Sequence, residues 1–287
     1  MATVAETIEA IAERFAGAGL VFGHGFESAW DEAVALVLAV TGLPDDRSVL
    51  DHPVDRQQRA RIDALAARRT GERIPLAYLI GRCRFAGHEF LIEPGVVVPR
   101  SPIGALIEAR FSPWLRREPE RILDLCCGSG CIGIAAALAF PAAQVDLADI
   151  DAHAVALTRR NMAMHGIEAR ARVFRSDLFD ALPAGRWDLI LSNPPYVDRR
   201  DMAALPAEHR HEPAHGLAGG DDGLALIDRM ITALPERLED RGTFVCEVGA
   251  SAPALLARYP YLPFVWPDLP NGGEGVFLLE PQRSGGG

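Results

Sequence analysis

The feature that most constrains the fold is a short apolar run that leads into a cluster of glycines. Residues 122–125 (Ile-Leu-Asp-Leu) continue into residues 126–133, which read Cys-Cys-Gly-Ser-Gly-Cys-Ile-Gly. Glycines allow a tight turn and let a ligand approach the backbone closely. Gly128, Gly130 and Gly133 fit the G-x-G-x-x-G spacing, a pattern that is weak when it stands alone. We expect a strand, a ligand-binding turn and then a helix.

From residue 121 onward, strand-like and helix-like segments alternate. Strands are predicted at 121–125, 144–149, 171–175, 187–192 and 243–248, with two last strands at 262–266 and 276–279. Helices are predicted from 131, over 152–164, near 224–234 and from 252. This order predicts a parallel sheet with helices on both faces, an α/β fold of the Rossmann-like kind.

The N-terminal part has a different pattern. Residues 4–15, 29–40 and 57–68 repeat apolar residues at intervals of three and four, which predicts helices. The arginines of the third helix, among them Arg61, Arg68 and Arg69, are interpreted as a solvated face, with a patch that faces substrate or RNA as the alternative.

Residues 76–99 predict a β-hairpin because Phe85, Phe90, Ile92 and 96–98 surround turn-forming glycine and proline. The expected organisation is a small helical domain over 1–75, a linking β-hairpin over 76–104, an α/β domain over 105–283 and a disordered tail over 284–287.

Composition narrows the class of protein. The chain has 287 residues, of which 49% are hydrophobic and 24% charged, as in an ordinary soluble globular protein. No apolar run reaches the roughly 18 residues needed to cross a bilayer, and an acidic N-terminus is unlike a secretory signal, so the cytoplasm is the expected location. A net charge of -10 argues against a protein that mainly tracks nucleic-acid phosphates and suits a basic protein substrate better.

A second informative motif is Asn193-Pro194-Pro195-Tyr196, directly after the predicted strand at 187–192. It forms a stiff polar turn that can grip a planar NH2 group. Asn193 offers a side-chain carbonyl, Pro194 a backbone carbonyl restrained by the following proline, and Tyr196 an aromatic wall. The motif therefore points to chemistry on an amide or amino nitrogen.

Three aspartates at the expected strand ends favour S-adenosylmethionine over a nicotinamide dinucleotide. Asp149 ends the second strand, where an acid can accept hydrogen bonds from ribose hydroxyls. Asp124 precedes the glycine turn, where an anion would oppose a pyrophosphate and could meet a cationic amino group. Asp177 is placed to accept from an adenine amino group, although the cap of a helix is an equally good interpretation.

A carboxamide nitrogen is a poor nucleophile because its lone pair is delocalised. Two acceptors, the Asn193 side-chain oxygen and the Pro194 backbone oxygen, can hold both N–H groups and aim the nitrogen at a sulfonium methyl group. Positioning then does most of the work, without a strong general base.

The combined motifs resemble the protein glutamine N5-methyltransferases of the HemK family, which use S-adenosylmethionine. The likeness extends over nearly the whole chain, through Ile74-Pro75-Leu76-Ala77-Tyr78, Gly87-His88-Glu89-Phe90, Glu212-Pro213 and Asp222-Gly223-Leu224. Pro99-Arg100-Ser101-Pro102 and the loop Gly23-His24-Gly25 are similar to the PrmB branch, which modifies the third protein of the large ribosomal subunit. The resemblance implies a ribosomal protein as partner, a substrate-recognition role for the helical domain over 1–75 and methyltransferase catalysis by the domain over 105–283. Together with the charge and the lack of an apolar span, nucleic acid is not expected as direct substrate and no membrane is expected as partner.

The predicted site residues fall into two groups. The cofactor group is Asp124, Cys126, Gly128, Ser129, Gly130, Asp149, Ile150, Asp177, Leu178 and Asn193. The substrate group is Arg100, Asn193, Pro194, Pro195 and Tyr196, of which Asn193, Pro194 and Tyr196 are the predicted catalytic residues.

Other interpretations stay open. These are a release-factor glutamine methyltransferase, an adenine N6-methyltransferase on nucleic acid, and a binder for ribosome assembly without catalysis. The string His211-Glu212-Pro213-Ala214-His215 imitates a zinc motif, but Pro213 disfavours the continuous helix that zinc binding needs, so no metal is predicted. The five cysteines are expected to be reduced, and helix-terminal placement leaves open a lowered thiol pKa at the turn.

Overall fold

The N-terminal part of the chain is helical in the computed structural model, which describes residues 1–269 and 275–280. Thr3 and Asp55 begin two of the helices with reciprocal capping boxes, in which the side chain and the backbone satisfy each other's hydrogen bonds. The helices share one apolar core, which confirms the predicted helical region. They are α1 (Val4–Ala16), α2 (Ala29–Thr41), α3 (Arg56–Glu72) and α4 (Leu76–Ile80).

One part of the solvated arginine face was predicted wrongly. Arg61 and Arg68 are exposed, but the side chain of Arg69 is fully buried. It donates to Glu32 of α2 and to Glu208, a residue far along the chain. The helical repeat of the sequence could not show this, because one partner lies on another helix and the other lies 139 residues further along the chain.

A short antiparallel hairpin follows, formed by β1 (Arg82–Phe85) and β2 (His88–Leu91). Ala86 and Gly87 connect the strands, and both have positive φ, as two-residue hairpin turns require. The hairpin is shorter than predicted, since residues 76–80 are helical and residues 96–98 form no strand. Instead, the Val98 N–H donates to the carboxylate of Glu212.

The remaining chain forms a six-stranded sheet in the order β5-β4-β3-β6-β7-β8. Its first five strands in chain order run parallel, as predicted, whereas β8 pairs antiparallel with β7. The strands are β3 (Arg121–Leu125), β4 (Gln144–Asp149), β5 (Ala171–Arg175), β6 (Trp187–Ser192), β7 (Leu238–Glu247) and β8 (Val276–Leu279).

Helices cover both faces of this sheet. Alternate side chains of a strand enter different cores, so that Ile122 packs in one cluster and Leu123 in the other. One cluster also contains side chains of α6 (Cys131–Ala139) and α7 (Ala152–Met164), and the other those of α9 (Ala225–Arg237) and α10 (Ala252–Arg258). The predicted Rossmann-like arrangement is confirmed.

The segment 262–266 was expected to be a strand and is not one. It makes a single bridge, between Val265 and Leu278. Pro263 lacks the N–H that a strand would donate, and Phe264 and Trp266 pack their rings against Phe277. The short helices α5 (Ile103–Glu108) and α8 (Arg199–Ala204) were not predicted. The predicted tail 284–287 lies outside the described residues.

The strand order creates a crevice at one edge of the sheet. After β5 the chain crosses to the opposite side of β3 and enters β6, so the carboxyl ends of β3 and β6 are neighbours. Ligands of open α/β sheets bind at such a switch point. The glycine turn and the Asn-Pro-Pro-Tyr turn are therefore brought together. Among the helices of the described residues, none combines the length and the apolar character that a bilayer crossing requires.

Candidate active site

A cavity of about 470 Å³ opens at the carboxyl ends of the parallel strands. The glycine turn, the end of β4, the segment after β5 and the turn after β6 all line it, and segments 95–101 and 205–217 complete the wall. Asp124 and Gly130 are outside the lining. The predicted site residues that do line it are Arg100, Cys126, Gly128, Ser129, Asp149, Ile150, Asp177, Leu178, Asn193, Pro194, Pro195 and Tyr196.

The glycine turn is held in a conformation that ordinary residues resist. Gly130 begins α6 with a φ of 79°, and a Cβ atom there would lie 2.7 Å from Cγ2 of Thr158. Thr158 Oγ1 donates to the carbonyl of Gly128 at 2.9 Å, and Asn161 Nδ2 donates to that of Ser129 at 2.8 Å. Helix α7 thus fixes the turn from behind and leaves its cavity side to a ligand.

Asp124 lies beneath this turn, fully buried. Its Oδ2 accepts from the N–H of Gly133 at 2.8 Å, whereas Oδ1 has no hydrogen-bond partner in the described part of the chain. Burial, with a smaller contribution from the charge of Asp149, raises the pKa of Asp124 to about 8. The side chain supports the turn and retains one acceptor. Its contact with a ligand's amino group stays a prediction.

Asp149 lies at the end of β4 and faces the cavity. Its Oδ2 accepts from the N–H of Gly128 at 2.8 Å and its Oδ1 from that of Asp151 at 2.9 Å. Burial raises the pKa of Asp149, and these two hydrogen bonds oppose the rise. Because each carboxylate oxygen has a second lone pair, the side chain can still accept from the hydroxyls of a bound ribose.

Asp177 follows β5 and lines the same cavity. No described α-helix begins there, so the alternative of a helix cap was wrong. Its Oδ1 pairs with Nη1 of Arg229 at 2.9 Å, and both side chains are half-exposed. The next residue, Leu178, has a φ of 50° and is buried against the cavity wall.

The turn after β6 is tightly enclosed. Ser192 Oγ donates to the carbonyl of Leu125 at 2.9 Å, which joins the ends of β6 and β3. Pro194 is buried, and the Tyr196 hydroxyl donates to Oε1 of Glu247 at 2.5 Å. Burial, followed by the nearby Glu247 carboxylate, raises the pKa of Tyr196, so the phenol stays a donor.

Asn193 differs from its neighbours in this turn. Its side-chain amide makes no hydrogen bond to the described part of the chain, and the same holds for the carbonyl of Pro194. Both groups therefore keep their acceptor capacity beside the cavity.

Arg100 was predicted to bind substrate, and in the structure its guanidinium pairs with a carboxylate of the same chain. Its Nη1 and Nη2 donate to the two oxygens of Glu212 at 2.7 and 2.9 Å. Glu212 is buried, and its carboxylate also accepts from the Val98 N–H. It thereby anchors the loop that follows the Asn-Pro-Pro-Tyr turn. From the sequence, Glu212-Pro213 was part of the family resemblance, and no role was predicted for the carboxylate.

Two histidines lie beside this ion pair. Ligand atoms of His24, His209 and Glu212 lie within 4.8 Å of one another, a grouping that could hold a metal. However, both oxygens of Glu212 accept from Arg100, and a guanidinium at that distance opposes a second cation. Burial, and next the charge of Arg100, lowers the pKa of His24 to about 4, so the imidazole is neutral. We therefore assign His24, His209 and Glu212 to anchoring of the segment 205–217, not to metal binding.

The zinc-like string does not converge on one point. His211 and His215 lie in separate 3-10 turns, at 207–211 and 214–216, and are exposed. His211 Nε2 contacts the carbonyl of Glu72 at 2.9 Å, and His215 Nε2 lies 3.3 Å from Oδ2 of Asp151.

The cysteines at the glycine turn are free, as expected. Burial raises the pKa of all three thiols, Cys126, Cys127 and Cys131. The alternative of a lowered thiol pKa at the start of the helix was therefore wrong. Burial of the thiols away from water is the largest cause of their raised pKa.

Comparisons with known proteins agree with this geometry. Residues 111–209 match the family described as "Methyltransferase small domain". Among solved structures, the hMettl16 catalytic domain in complex with MAT2A 3'UTR hairpin 1 aligns with a TM-score of 0.52, covering 85% of this chain and 90% of that one. It is 14% identical and therefore shows the fold alone.

Two relatives are far more similar in sequence. The ribosomal protein uL3 glutamine methyltransferase of Bordetella pertussis is 43% identical over 285 residues, covering 98% of this chain and 96% of the relative. The enzyme of the same name from Francisella tularensis is 42% identical over 263 residues, covering 90% and 83%. At this identity and coverage, the chain belongs to the family of ribosomal protein uL3 glutamine methyltransferases.

Proposed function

We propose that this protein methylates the side-chain nitrogen of a glutamine in ribosomal protein uL3, with S-adenosylmethionine as methyl donor. The observation that carries the proposal is the pair of acceptors on Asn193 and Pro194, which have no hydrogen-bond partner among the described residues and line the same cavity as the glycine turn. The relatives named for this activity match almost the full chain. The proposed location is the cytoplasm.

The cavity fits the methyl donor. The turn at Gly128 presents only backbone to a ligand, and Asp149 retains lone pairs. Asp124 has a buried oxygen with no hydrogen-bond partner in the described part of the chain. We assign Asp149 to the ribose, Asp177 to the adenine, and Asp124 with the turn to the methionine moiety. When bound, the donor supplies an electrophilic methyl group on a positively charged sulfur.

The protein's own contribution is orientation. The carboxamide nitrogen of glutamine is weakly nucleophilic, so it must be held in line with the methyl group. Asn193 Oδ1 and the Pro194 carbonyl accept its two N–H groups, which fixes the plane of the amide. Tyr196 forms the wall against which this plane rests. The two acceptors would also stabilise positive charge on the nitrogen as its lone pair bonds to the methyl carbon. The carbon–sulfur bond would break to leave a neutral thioether, and the nitrogen would release one of its two protons to solvent.

We further infer that residues 1–75 contribute to recognition of the protein substrate. The segment 205–217 is hydrogen-bonded to this part of the chain through Glu208. Its carboxylate accepts from Arg69 at 3.2 Å, from Arg73 at 3.2 Å and from the N–H of Val21 at 3.1 Å. A substrate that reaches the cavity past this segment also meets the helical region. The net charge of -10 suits a basic partner.

The decisive experiment offers several acceptors to the purified enzyme with labelled methyl donor. We expect methyl incorporation into uL3 at one glutamine, located by mass spectrometry, and none into a release factor, DNA or RNA. Labelling of a release factor or an adenine instead of uL3 would refute the proposed substrate. Binding of the donor without transfer to any acceptor would favour an assembly factor.

The variant Asn193→Ala tests the roles assigned at the site. We expect donor affinity to be nearly unchanged and turnover to fall roughly 100-fold or more, since a preorganised hydrogen-bond partner is lost. Gln144→Ala removes an exposed carboxamide from the first residue of β4, outside the cavity lining, and serves as the control. Loss of donor binding in Asn193→Ala would contradict the separation of roles.

A further inference from the structure

A buried glutamate joins two sides of the proposed acceptor pocket. Glu247 ends β7, is 6% exposed and lines the cavity. Its Oε1 accepts from the Tyr196 hydroxyl at 2.5 Å, and its Oε2 accepts from Ser101 Oγ at 2.6 Å. Tyr196 belongs to the turn after β6, whereas Ser101 precedes α5. One carboxylate therefore ties together segments from different parts of the chain.

The ring of Tyr196 is held at several points. A Cβ atom at Gly249 would lie 2.4 Å from Cε2 of the ring, so the glycine backbone packs directly against the ring. Ser251 Oγ donates to the Tyr196 carbonyl at 3.2 Å. Packing and this bond restrain the base of the side chain. The hydrogen bond to Glu247 fixes its tip, and with it the direction of the aromatic plane.

With both hydroxyls donating, an ionised carboxylate satisfies this arrangement fully. Both oxygens accept from a hydroxyl, and a protonated carboxyl group would turn one acceptor into a donor. Burial raises the pKa of Glu247, while the hydrogen bonds from Ser101 and Tyr196 and then the charge of Arg100 oppose the rise. The titratable or charged groups that face it are Tyr196, Arg100 and the buried thiol of Cys246.

We propose that Glu247 is a positioning residue, which holds the Tyr196 ring as the fixed wall of the pocket for the acceptor amide. It acts through Tyr196 and does not itself touch the reacting atoms. The inference rests on the proposed function, because it assumes that a planar carboxamide lies against this ring. Protonation of the carboxylate, or its replacement by an amide, leaves one acceptor oxygen for two donating hydroxyls and so weakens the hold on the tip of the ring.

A double-mutant cycle separates positioning from general support of the fold. We expect Glu247→Gln and Tyr196→Phe each to lower kcat for methyl transfer to uL3 by about tenfold, with donor affinity unchanged, and the double variant to lose no more than the worse single variant. Losses that multiply in the double variant would overturn the proposal. So would full activity in either single variant.

The control is Asp146→Asn. Asp146 is a buried carboxylate of the same sheet that accepts from Trp187 Nε1 and lies outside the cavity lining. Its loss is expected to lower stability while kcat stays near the value of the unaltered enzyme. If Asp146→Asn lowers kcat as much as Glu247→Gln does, the effect at Glu247 reflects loss of sheet stability and the proposal fails.

A second measurement does not depend on any substrate. The chain has four tyrosines, so NMR of protein labelled with ¹³C at the tyrosine ε carbons gives few signals, and Tyr196→Phe identifies the one from Tyr196. We expect this signal to shift as the pH falls and Glu247 takes up a proton, and to lose that titration in Glu247→Gln. An identical signal in both proteins at every pH would overturn the positioning role. Absence of transfer to uL3 would refute the proposed function and leave this test intact.

Discussion

Replacement of Arg69 by methionine tests how much the buried ion pairs between the helical region and the segment 205–217 contribute to stability. The fully buried guanidinium donates through Nε and Nη2 to the two oxygens of Glu32, at 2.8 and 3.1 Å, and through Nη1 to Glu208 at 3.2 Å. Methionine preserves most of the volume and removes the charge. Glu208 keeps Arg73 as a partner, whereas Glu32 loses the one cation that it contacts in the described residues.

Removal of one member of a buried ion pair costs about 3–5 kcal/mol of unfolding free energy. We expect a loss near the lower end, about 3 kcal/mol at pH 7.5, because one of the two carboxylates stays paired. Arg68→Met is the matched control. Arg68 is the preceding residue, its ion pair with Glu72 is exposed, and we expect a loss of at most about 0.5 kcal/mol.

The loss in Arg69→Met should depend on pH. Burial already raises the pKa of Glu32 while Arg69 is present, and removal of the cation raises it further. The folded state then binds a proton more tightly than the unfolded state, so stability falls as the pH rises from the ordinary glutamate pKa through the folded one. The deficit should therefore be larger at pH 7.5 than at pH 5.5.

Urea unfolding followed by circular dichroism measures the free energy of unfolding at both pH values. A loss in Arg69→Met as small as that in Arg68→Met would refute the buried ion pair as a determinant of stability. A deficit that grows at pH 5.5 would refute the assignment of the pH dependence to Glu32.

Three further predictions concern the glycine turn and the end of β4 beside it. Asp149→Ala should weaken binding of the methyl donor at least about tenfold by calorimetry, because a charged hydrogen-bond partner is lost, and unchanged affinity would contradict its role. Gly130→Ala should reduce both donor affinity and thermal stability, since the new Cβ lies 2.7 Å from Thr158 Cγ2 at a φ of 79°; a fully stable variant with normal affinity would show that the turn relaxes. Burial raises the pKa of the Cys126 thiol, so a thiol reagent at pH 7.5 should label the native protein slowly and the urea-unfolded protein fast, and rapid labelling of the native protein would contradict this environment.

Much of the α/β fold could be predicted because β3, β4 and β6 are buried along most of their length, whereas β5 is partly exposed. The predicted bounds of β3, β4, β5 and β6 agree with the structure, as do those of α7. The buried strands are short, mainly apolar runs that end at a polar or glycine-rich turn, and such boundaries are local in sequence. The residues of both turns were found for the same reason, since the chemistry of each motif lies within a few neighbouring positions.

The features that were missed depend on distant parts of the chain. Arg69 and Glu208 are 139 residues apart, and the arginine looks like any other member of a solvated helix face. Glu247 is one acidic residue at the end of a strand, and its role follows only once Ser101 and Tyr196 converge on it. At 262–266 the apolar pattern indicated a strand, but the rings of Phe264 and Trp266 pack on Phe277 instead.

The most direct test of the central claim is a structure of the enzyme with a nonreactive methyl-donor analogue and a glutamine peptide of uL3. We predict that Asn193 Oδ1 and the Pro194 carbonyl oxygen each accept from the glutamine amide nitrogen, with the Tyr196 ring alongside. A complex in which these oxygens point away from the bound carboxamide would contradict the account.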